Sequence, residues 1–143
     1  MTDLVRRTNL LVSLGSFAGV DDVWKHNADA VTLDLRDATP ELLQGASRKW
    51  LRISARFASF GGAEVFVAVN HSRMSAQFEG AVWPGIAGVL LWGAEDAASV
   101  IAAAASLKQV ESRRGIPAGS LQIVPVLESA LGGTMASTRQ LWR

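Results

Sequence analysis

Charged side chains follow a predicted strand in the segment 29–38, which reads DAVTLDLRDA. The apolar run ends in Asp34, Arg36 and Asp37, just before residues typical of a helix start. In proteins that alternate strands and helices, active sites are built at the carboxyl ends of the strands. The planar guanidinium of Arg36 is suited to holding a carboxylate through two parallel hydrogen bonds. We therefore predict Arg36 and Asp37 as catalytic residues and Asp34 as a substrate-binding residue.

Polar residues also end three other predicted strands. Glu128 is either a metal ligand or an ordinary exposed strand end, and Asn70 is a candidate substrate-binding residue. Gly15 and Ser16 are predicted to offer backbone amides to a ligand, although a single Gly-Ser turn has little specificity. Together with the segment 29–38, these positions predict a site formed by several strand ends.

Structural interpretations of the same residues stay open at this stage. Asp34 and Asp37 could cap the following helix or pair with Arg36. His71 could act as a base or a ligand, but a loop histidine beside Ser72, the predicted cap of the next helix, is more often only solvated.

Composition limits the classes of protein to which the chain can belong. Its 143 residues are 49% hydrophobic and 19% charged, which suits a single domain with one sizeable core. The net charge is +1 and the basic residues are scattered in ones and twos, so nucleic-acid binding has little support. Cysteine is absent, which excludes disulfides, thiolate catalysis and cysteine metal sites. No apolar stretch approaches the roughly 20 residues that span a bilayer, so we expect a cytoplasmic protein without a membrane partner.

Five apolar runs of strand length alternate with segments of helical period, which predicts an α/β chain. Most runs are apolar on both faces, as in parallel strands covered by helices. One helix is predicted to open at Thr39 and Pro40 and to end at Gly61, and another begins at about Glu95. Length alone favours an open, doubly wound sheet, because a complete (βα)₈ barrel normally needs about 250 residues. The predicted strands are 9–14, 30–35, 64–70, 87–92 and 121–127.

Five motifs occur in a defined order: RTNL with LGS at 7–16, DAVTLDLRDA at 29–38, VAVN at 67–70, GVLLWG at 88–93 and VLES at 126–129. Together they resemble the landmarks of the HpcH/HpaI aldolase and citrate lyase beta-subunit family. Members of that family fold as TIM barrels and cleave or form carbon-carbon bonds, often in coenzyme A thioesters. The resemblance extends from position 7 to about 130 and implies a partial TIM barrel of about five parallel strands.

The resemblance also implies a Mg²⁺-dependent lyase that acts on a keto acid or an acyl coenzyme A thioester, with Glu128 as a metal ligand. Several charged residues of the family are replaced here. The arginine of its "VRVN" strand is Ala68, the glutamate of "LDLED" is Arg36, and the lysine of "PK" is Gly93. Trp92 stands where the family has proline, and the aspartate that supplies its second metal carboxylate has no counterpart in the sequence.

These replacements leave two functions open. The chain could be a lyase that is weak or inactive alone, because a metal ion and a nearby cation normally stabilise the enolate. It could instead be a non-catalytic relative that holds a small anion or recruits a subunit. Arg36 and Ala68 lie at equivalent ends of adjacent predicted strands, so the guanidinium could fill the vacated volume and bind a carboxylate. Five of eight βα units would leave open sheet edges, so we also expect a homo-oligomer or a complementary subunit.

Overall fold

The structure, a computed structural model, describes residues 6–13, 20–39, 43 and 46–128. Within these residues the chain is an α/β fold with five strands and three α-helices, which confirms the predicted class. In chain order the elements are β1 (Asn9–Ser13), β2 (Ala30–Asp34), α1 (Ala46–Ala58), β3 (Glu64–Asn70), α2 (Met74–Ala81), β4 (Gly88–Trp92), α3 (Ala97–Arg113) and β5 (Gln122–Val126).

The element boundaries follow local sequence rules. Each described strand end lies within one residue of its predicted position. The predicted start of the first helix at Pro40 lies outside the described residues, but α1 stops before Gly61 and Gly62, whose φ angles of 84° and 89° favour glycine. The connection from β1 to β2, predicted as helical, contains instead a 3₁₀ helix at Val20–His26, and positions 14–19 lie outside the description.

The helix predicted from about Glu95 is α3, and its first turn shows why it begins there. The carboxylate of Asp96 accepts hydrogen bonds from the backbone N–H and the hydroxyl of Ser99, both at 2.7 Å. These bonds, the hydroxyl bond foremost, lower the pKa of Asp96. The helix ends at Arg113, and Gly115 follows with a φ of 65°.

The five strands form one sheet in which all neighbours are parallel and the spatial order is β1-β2-β3-β4-β5. Each crossover therefore moves one place in the same direction. Right-handed crossovers then place the helices on one face of the sheet. In agreement, α2 packs on β3 and contacts both α1 and α3.

The main hydrophobic core lies between the sheet and these helices. Alternate strand residues supply the sheet side of this core, and Phe78 and Leu107 are among the residues that the helices supply. The strand residues are Val31, Leu33, Val65, Val67, Val69, Val89 and Leu91, each no more than 2% exposed.

The second face of the sheet is also largely inaccessible at its centre. Thr32 and Ala68 are 0% exposed and Phe66 is 2% exposed, although strand alternation points them away from the helices. The Thr32 hydroxyl donates to Asn9 Oδ1 at 2.8 Å, and the guanidinium of Arg6 lies 5.1 Å from the centre of the Phe66 ring. This face also carries Asp34, so the predicted site lies on the side of the sheet opposite the helices.

The three α-helices of the described residues include none that is both long enough and apolar enough to cross a membrane.

Candidate functional site at the carboxyl edge of the sheet

Arg36 and Asp34 form a tight ion pair at the end of β2. Arg36 Nε donates to Asp34 Oδ1 at 3.0 Å and Nη2 donates to Oδ2 at 2.8 Å, a bidentate arrangement. The backbone N–H of Arg36 donates to the same Oδ1 at 3.1 Å. The structural interpretation of Asp34, that it pairs with Arg36, is therefore confirmed.

Environment changes the pKa of both partners. Burial alone would raise the pKa of Asp34, whose side chain is 13% exposed, but hydrogen bonds from Arg36 and its positive charge outweigh burial and lower it. The pKa of Arg36 is raised, first by its hydrogen bonds to Asp34 and then by the charges of Asp34, Asp37 and Glu128. Asp34 is consequently an anion and Arg36 a cation throughout the physiological range.

The guanidinium of Arg36 reaches from the end of β2 to the end of β4. It lies 4.3 Å from the centre of the Trp92 ring, which is a cation-π contact. The register aligns Asp34 with Ala68 of β3 and Asn70 with Trp92, so the side chain crosses the end of β3 on its way. Trp92 thus supports the guanidinium of Arg36.

Asp37 and Glu128 lie at the same edge as this pair. Both are exposed, and both act electrostatically on the guanidinium of Arg36, although β2 and β5 are separated by two strands. That these carboxylates form one site with Arg36 stays a prediction. Three carboxylates around one guanidinium leave the cluster net negative.

Gln77 is a site residue that the sequence analysis missed. It is 0% exposed, and its Oε1 accepts the backbone N–H of Asn70 at 2.7 Å. Its Nε2 donates to the carbonyl oxygens of Leu35 at 2.8 Å and Arg36 at 3.3 Å. One amide therefore joins the ends of β2 and β3 and positions the backbone that carries Arg36. Its helical spacing from Met74 and Ala81 is the only sequence feature that places it on the inner face of α2.

Asn70 has a structural role at the end of β3. Its Oδ1 accepts the backbone N–H of Ser72 at 3.1 Å and the Ser72 hydroxyl at 2.8 Å, capping the 3₁₀ turn at His71–Arg73. The prediction that Ser72 caps the next helix was wrong, because Asn70 takes that role for the turn and α2 begins without a side-chain cap.

His71 follows Asn70 and is only partly accessible. Its Nε2 is buried and has no hydrogen-bond partner among the described residues. This nitrogen is therefore not in contact with solvent, contrary to the interpretation that the histidine is only solvated. The positive form of the ring lowers the pKa of Asp96, after the larger effect of the Ser99 hydrogen bonds.

The acidic cluster offers hard oxygen ligands but no complete metal cage. Among the described residues, no group of three or more His, Asp or Glu side chains is arranged to hold a metal ion. Asp34 is already bound to Arg36, which leaves Asp37 and Glu128 as available carboxylates. Two carboxylates suit a Mg²⁺ ion that keeps waters and takes further oxygens from a substrate. The predicted ligand-binding residues Gly15 and Ser16 lie outside the described residues.

Neither models of known protein families nor characterised proteins match the sequence, so membership of the resembled family stays a prediction.

Proposed function

We propose that this chain binds a small keto acid together with Mg²⁺ at the carboxyl edge of the sheet, and that it cleaves carbon-carbon bonds weakly or not at all. The observation that carries the proposal is the ion pair of Arg36 with Asp34, whose guanidinium reaches Trp92 at the end of β4 and is also acted on by the charges of Asp37 and Glu128. Functional groups from several strand ends meet in this way where β/α proteins bind their ligands.

The proposal includes a curved sheet that corresponds to the first five strands of a barrel. The strand order runs from β1 to β5 without the reversal that characterises doubly wound sheets. In a flat sheet, β2 and β5 would lie about 14 Å apart, three strand spacings of about 4.8 Å. Curvature towards the second face brings their ends closer together and shields Phe66 and Ala68.

Charge favours a metal complex over a free anion as the ligand. Asp34, Asp37 and Glu128 outnumber Arg36, so a lone anion would meet a net negative field. A divalent ion would reverse that field, and Asp37 and Glu128 are the residues that would hold it. The ion would supply Lewis acidity, and Arg36 would orient one end of the bound acid.

The ion pair that Arg36 forms with Asp34 argues for ligand binding without efficient bond cleavage. Both of its hydrogen-bonded nitrogens face Asp34, so much of its charge is already compensated. Ala68 is buried and supplies no cation at the neighbouring strand end, and Gly93 supplies none after β4. An enolate formed at this edge would therefore lack a free protein cation beside the metal ion, and such preorganised positive charge lowers the barrier.

Calorimetric titration tests the proposal. We expect little heat from Mg²⁺ alone, and clear binding when Mg²⁺ is titrated in the presence of oxaloacetate, with a protein-free blank for spontaneous decarboxylation. Glu128→Gln should weaken the ternary binding by at least about tenfold, because even indirect support of metal ligands is worth that much.

Glu95→Gln is the matched control, because Glu95 is an exposed acid at the same edge of the sheet. Binding by this variant should equal that of the parent chain. Equal loss in both variants would show a general charge effect, and oxaloacetate binding that is independent of Mg²⁺ would contradict the proposed ternary complex. A parallel assay of pyruvate release from hydroxy keto acids tests the claim of weak cleavage.

A further inference from the structure

The outer face of α1 is strongly basic, although the sequence as a whole is nearly neutral. The helix reads ASRKWLRISARFA, with four basic residues and no acid. Lys49, Arg52 and Arg56 are exposed and line one groove of about 400 Å³. The three lie at positions i, i+3 and i+7 and so share one side of the helix. Folding thus concentrates charges that the sequence displays only in ones and twos.

None of these three cations has an acidic partner among the described residues. The nearest acid on α2, Glu79, is already bound to Arg113 and Arg114. Like charges three or four residues apart on a helix repel each other, so an anion bound between them would relieve this repulsion. The charge of the groove is therefore complementary to an external anionic ligand.

The opposite wall of the groove is preorganised by Trp83, Pro84 and Ile86. Trp83 is fixed by a hydrogen bond from its Nε1 to the carbonyl oxygen of Gly80 at 2.9 Å. The guanidinium of Arg52 lies 4.7 Å from the centre of the Trp83 ring, and that of Arg114 lies 3.8 Å from it. Stacking restricts the Arg52 fork and so reduces the entropy lost when it binds a carboxylate.

We infer that this groove is a docking site for an acidic segment of a partner protein, with carboxylates at helical spacing. The cations recur along α1 at intervals of about 4.5 and 6 Å, which spans about 10.5 Å in total. Glutamates at i, i+3 and i+7 of a partner helix have the same spacing and can meet the three cations one by one, whereas a single phosphate would require all three side chains to bend to one point. The apolar wall at Ile53 and Ile86 accommodates an aliphatic side chain next to these glutamates.

Nucleic acid fits this groove less well. Single-stranded ligands need open aromatic faces for stacking, and two guanidiniums already cover the ring of Trp83. Duplex DNA would need a basic stripe longer than two helical turns to neutralise successive phosphates on both strands. The short row of three cations beside an apolar wall is better matched to a peptide.

Fluorescence anisotropy tests this site independently of the carboxyl edge. The probe is a labelled 15-residue helical peptide with glutamates at i, i+3 and i+7 and one leucine between them. We expect saturable binding that weakens with salt, and no binding by a peptide in which glutamine replaces glutamate. Arg56→Gln should weaken binding about threefold, and the triple variant Lys49→Gln, Arg52→Gln, Arg56→Gln about 30-fold, as expected for exposed ion pairs.

Lys108→Gln is the matched control, because it removes one exposed positive charge from α3, outside the groove. This variant should bind the probe like the parent chain, and circular dichroism should show that all variants are folded. Equal affinity for the glutamine peptide, or unchanged affinity in the triple variant, would overturn the inference. If inorganic triphosphate displaced the probe at lower concentration than unlabelled peptide does, the groove would be assigned to phosphates instead. If a DNA duplex bound more tightly than the peptide, the groove would be assigned to nucleic acid.

Discussion

Substitution of Gln77 should destabilise the protein and disturb the candidate site together. Gln77→Met keeps the approximate length of the side chain and removes its hydrogen bonds. The backbone N–H of Asn70 then loses its partner, in a region where Gln77 is 0% exposed. The carbonyl of Leu35 loses one of its two partners and still accepts the backbone N–H of Ala38 at 2.9 Å. An unsatisfied buried group costs about 1 to 3 kcal/mol, so the substitution should lower the free energy of unfolding by about 2 kcal/mol.

The expected change is large relative to the total stability. Domains of this size unfold with about 5 to 15 kcal/mol, and 2 kcal/mol corresponds to a fall of about 6 °C in melting temperature. Gln77→Ala should cost about 1 to 2 kcal/mol more, because it also leaves a cavity. Denaturation in urea, followed by circular dichroism, measures both changes.

Gln77→Glu should make stability depend on pH. One carboxylate oxygen can still accept from Asn70, but the other meets the carbonyl of Leu35 unless it is protonated. Burial and this contact raise the pKa of the new group in the folded protein. Because the pKa of the new group is higher in the folded than in the unfolded protein, the variant is most stable below the unfolded pKa of about 4.3. Its free energy of unfolding then falls as the pH rises, by up to about 1.4 kcal/mol per pH unit.

The control for both substitutions is Gln109, an exposed glutamine on α3. Gln109→Met and Gln109→Glu should change the free energy of unfolding by less than about 0.5 kcal/mol at any pH. If Gln77→Met were as stable as the parent, or if the pH profiles of the two glutamate variants were parallel, the assigned role of the Gln77 amide would be refuted.

Three further outcomes follow from the contacts. Gly88→Ala should separate β4 from β5 and destabilise the sheet by more than about 2 kcal/mol, measured by urea denaturation, because a β-carbon at Gly88 would overlap the backbone of Gln122. Glu111→Gln should cost about 2 kcal/mol in the same assay, because the buried carboxylate accepts the N–H groups of Gly119 at 3.0 Å and Leu121 at 3.2 Å, and an amide can accept only one of them. Because the pKa of Asp34 is lowered in the folded protein, its contribution to stability is present above the unfolded pKa of about 3.9 and is lost as the pH falls below that value. The difference in stability between the parent chain and Asp34→Asn should therefore shrink between about pH 5 and about pH 2.

The sequence predicted the strands well because each is a short apolar run bounded by residues with a local preference for turns or caps. The same reasoning succeeded for α3, where Asp96 lies at the cap position and Gly115 follows the last turn. It failed between β1 and β2, where Val20–His26 forms a 3₁₀ helix. Apolar spacing does not distinguish a tight 3₁₀ turn from the beginning of an α-helix.

The candidate site was only partly predictable for a different reason. Strand ends identified Asp34, Arg36 and Asp37 because the parallel topology brings such ends to one edge. The roles of Gln77 and Trp92 depend on contacts across 41 or more positions of the sequence, which periodicity does not encode. The groove on α1 was missed in the same way, because Trp83 meets Arg52 and Arg114 only after folding.

The arginine at position 36 is best understood together with its surroundings. A lone arginine at a strand end would be mobile and open to any anion, but Asp34 fixes its fork and Trp92 supports its plane. Each partner lowers the entropy of the side chain, and each also uses part of its binding capacity. Arg36 is therefore an oriented but partly compensated cation, and a free carboxylate would gain less from it than from an unpaired arginine.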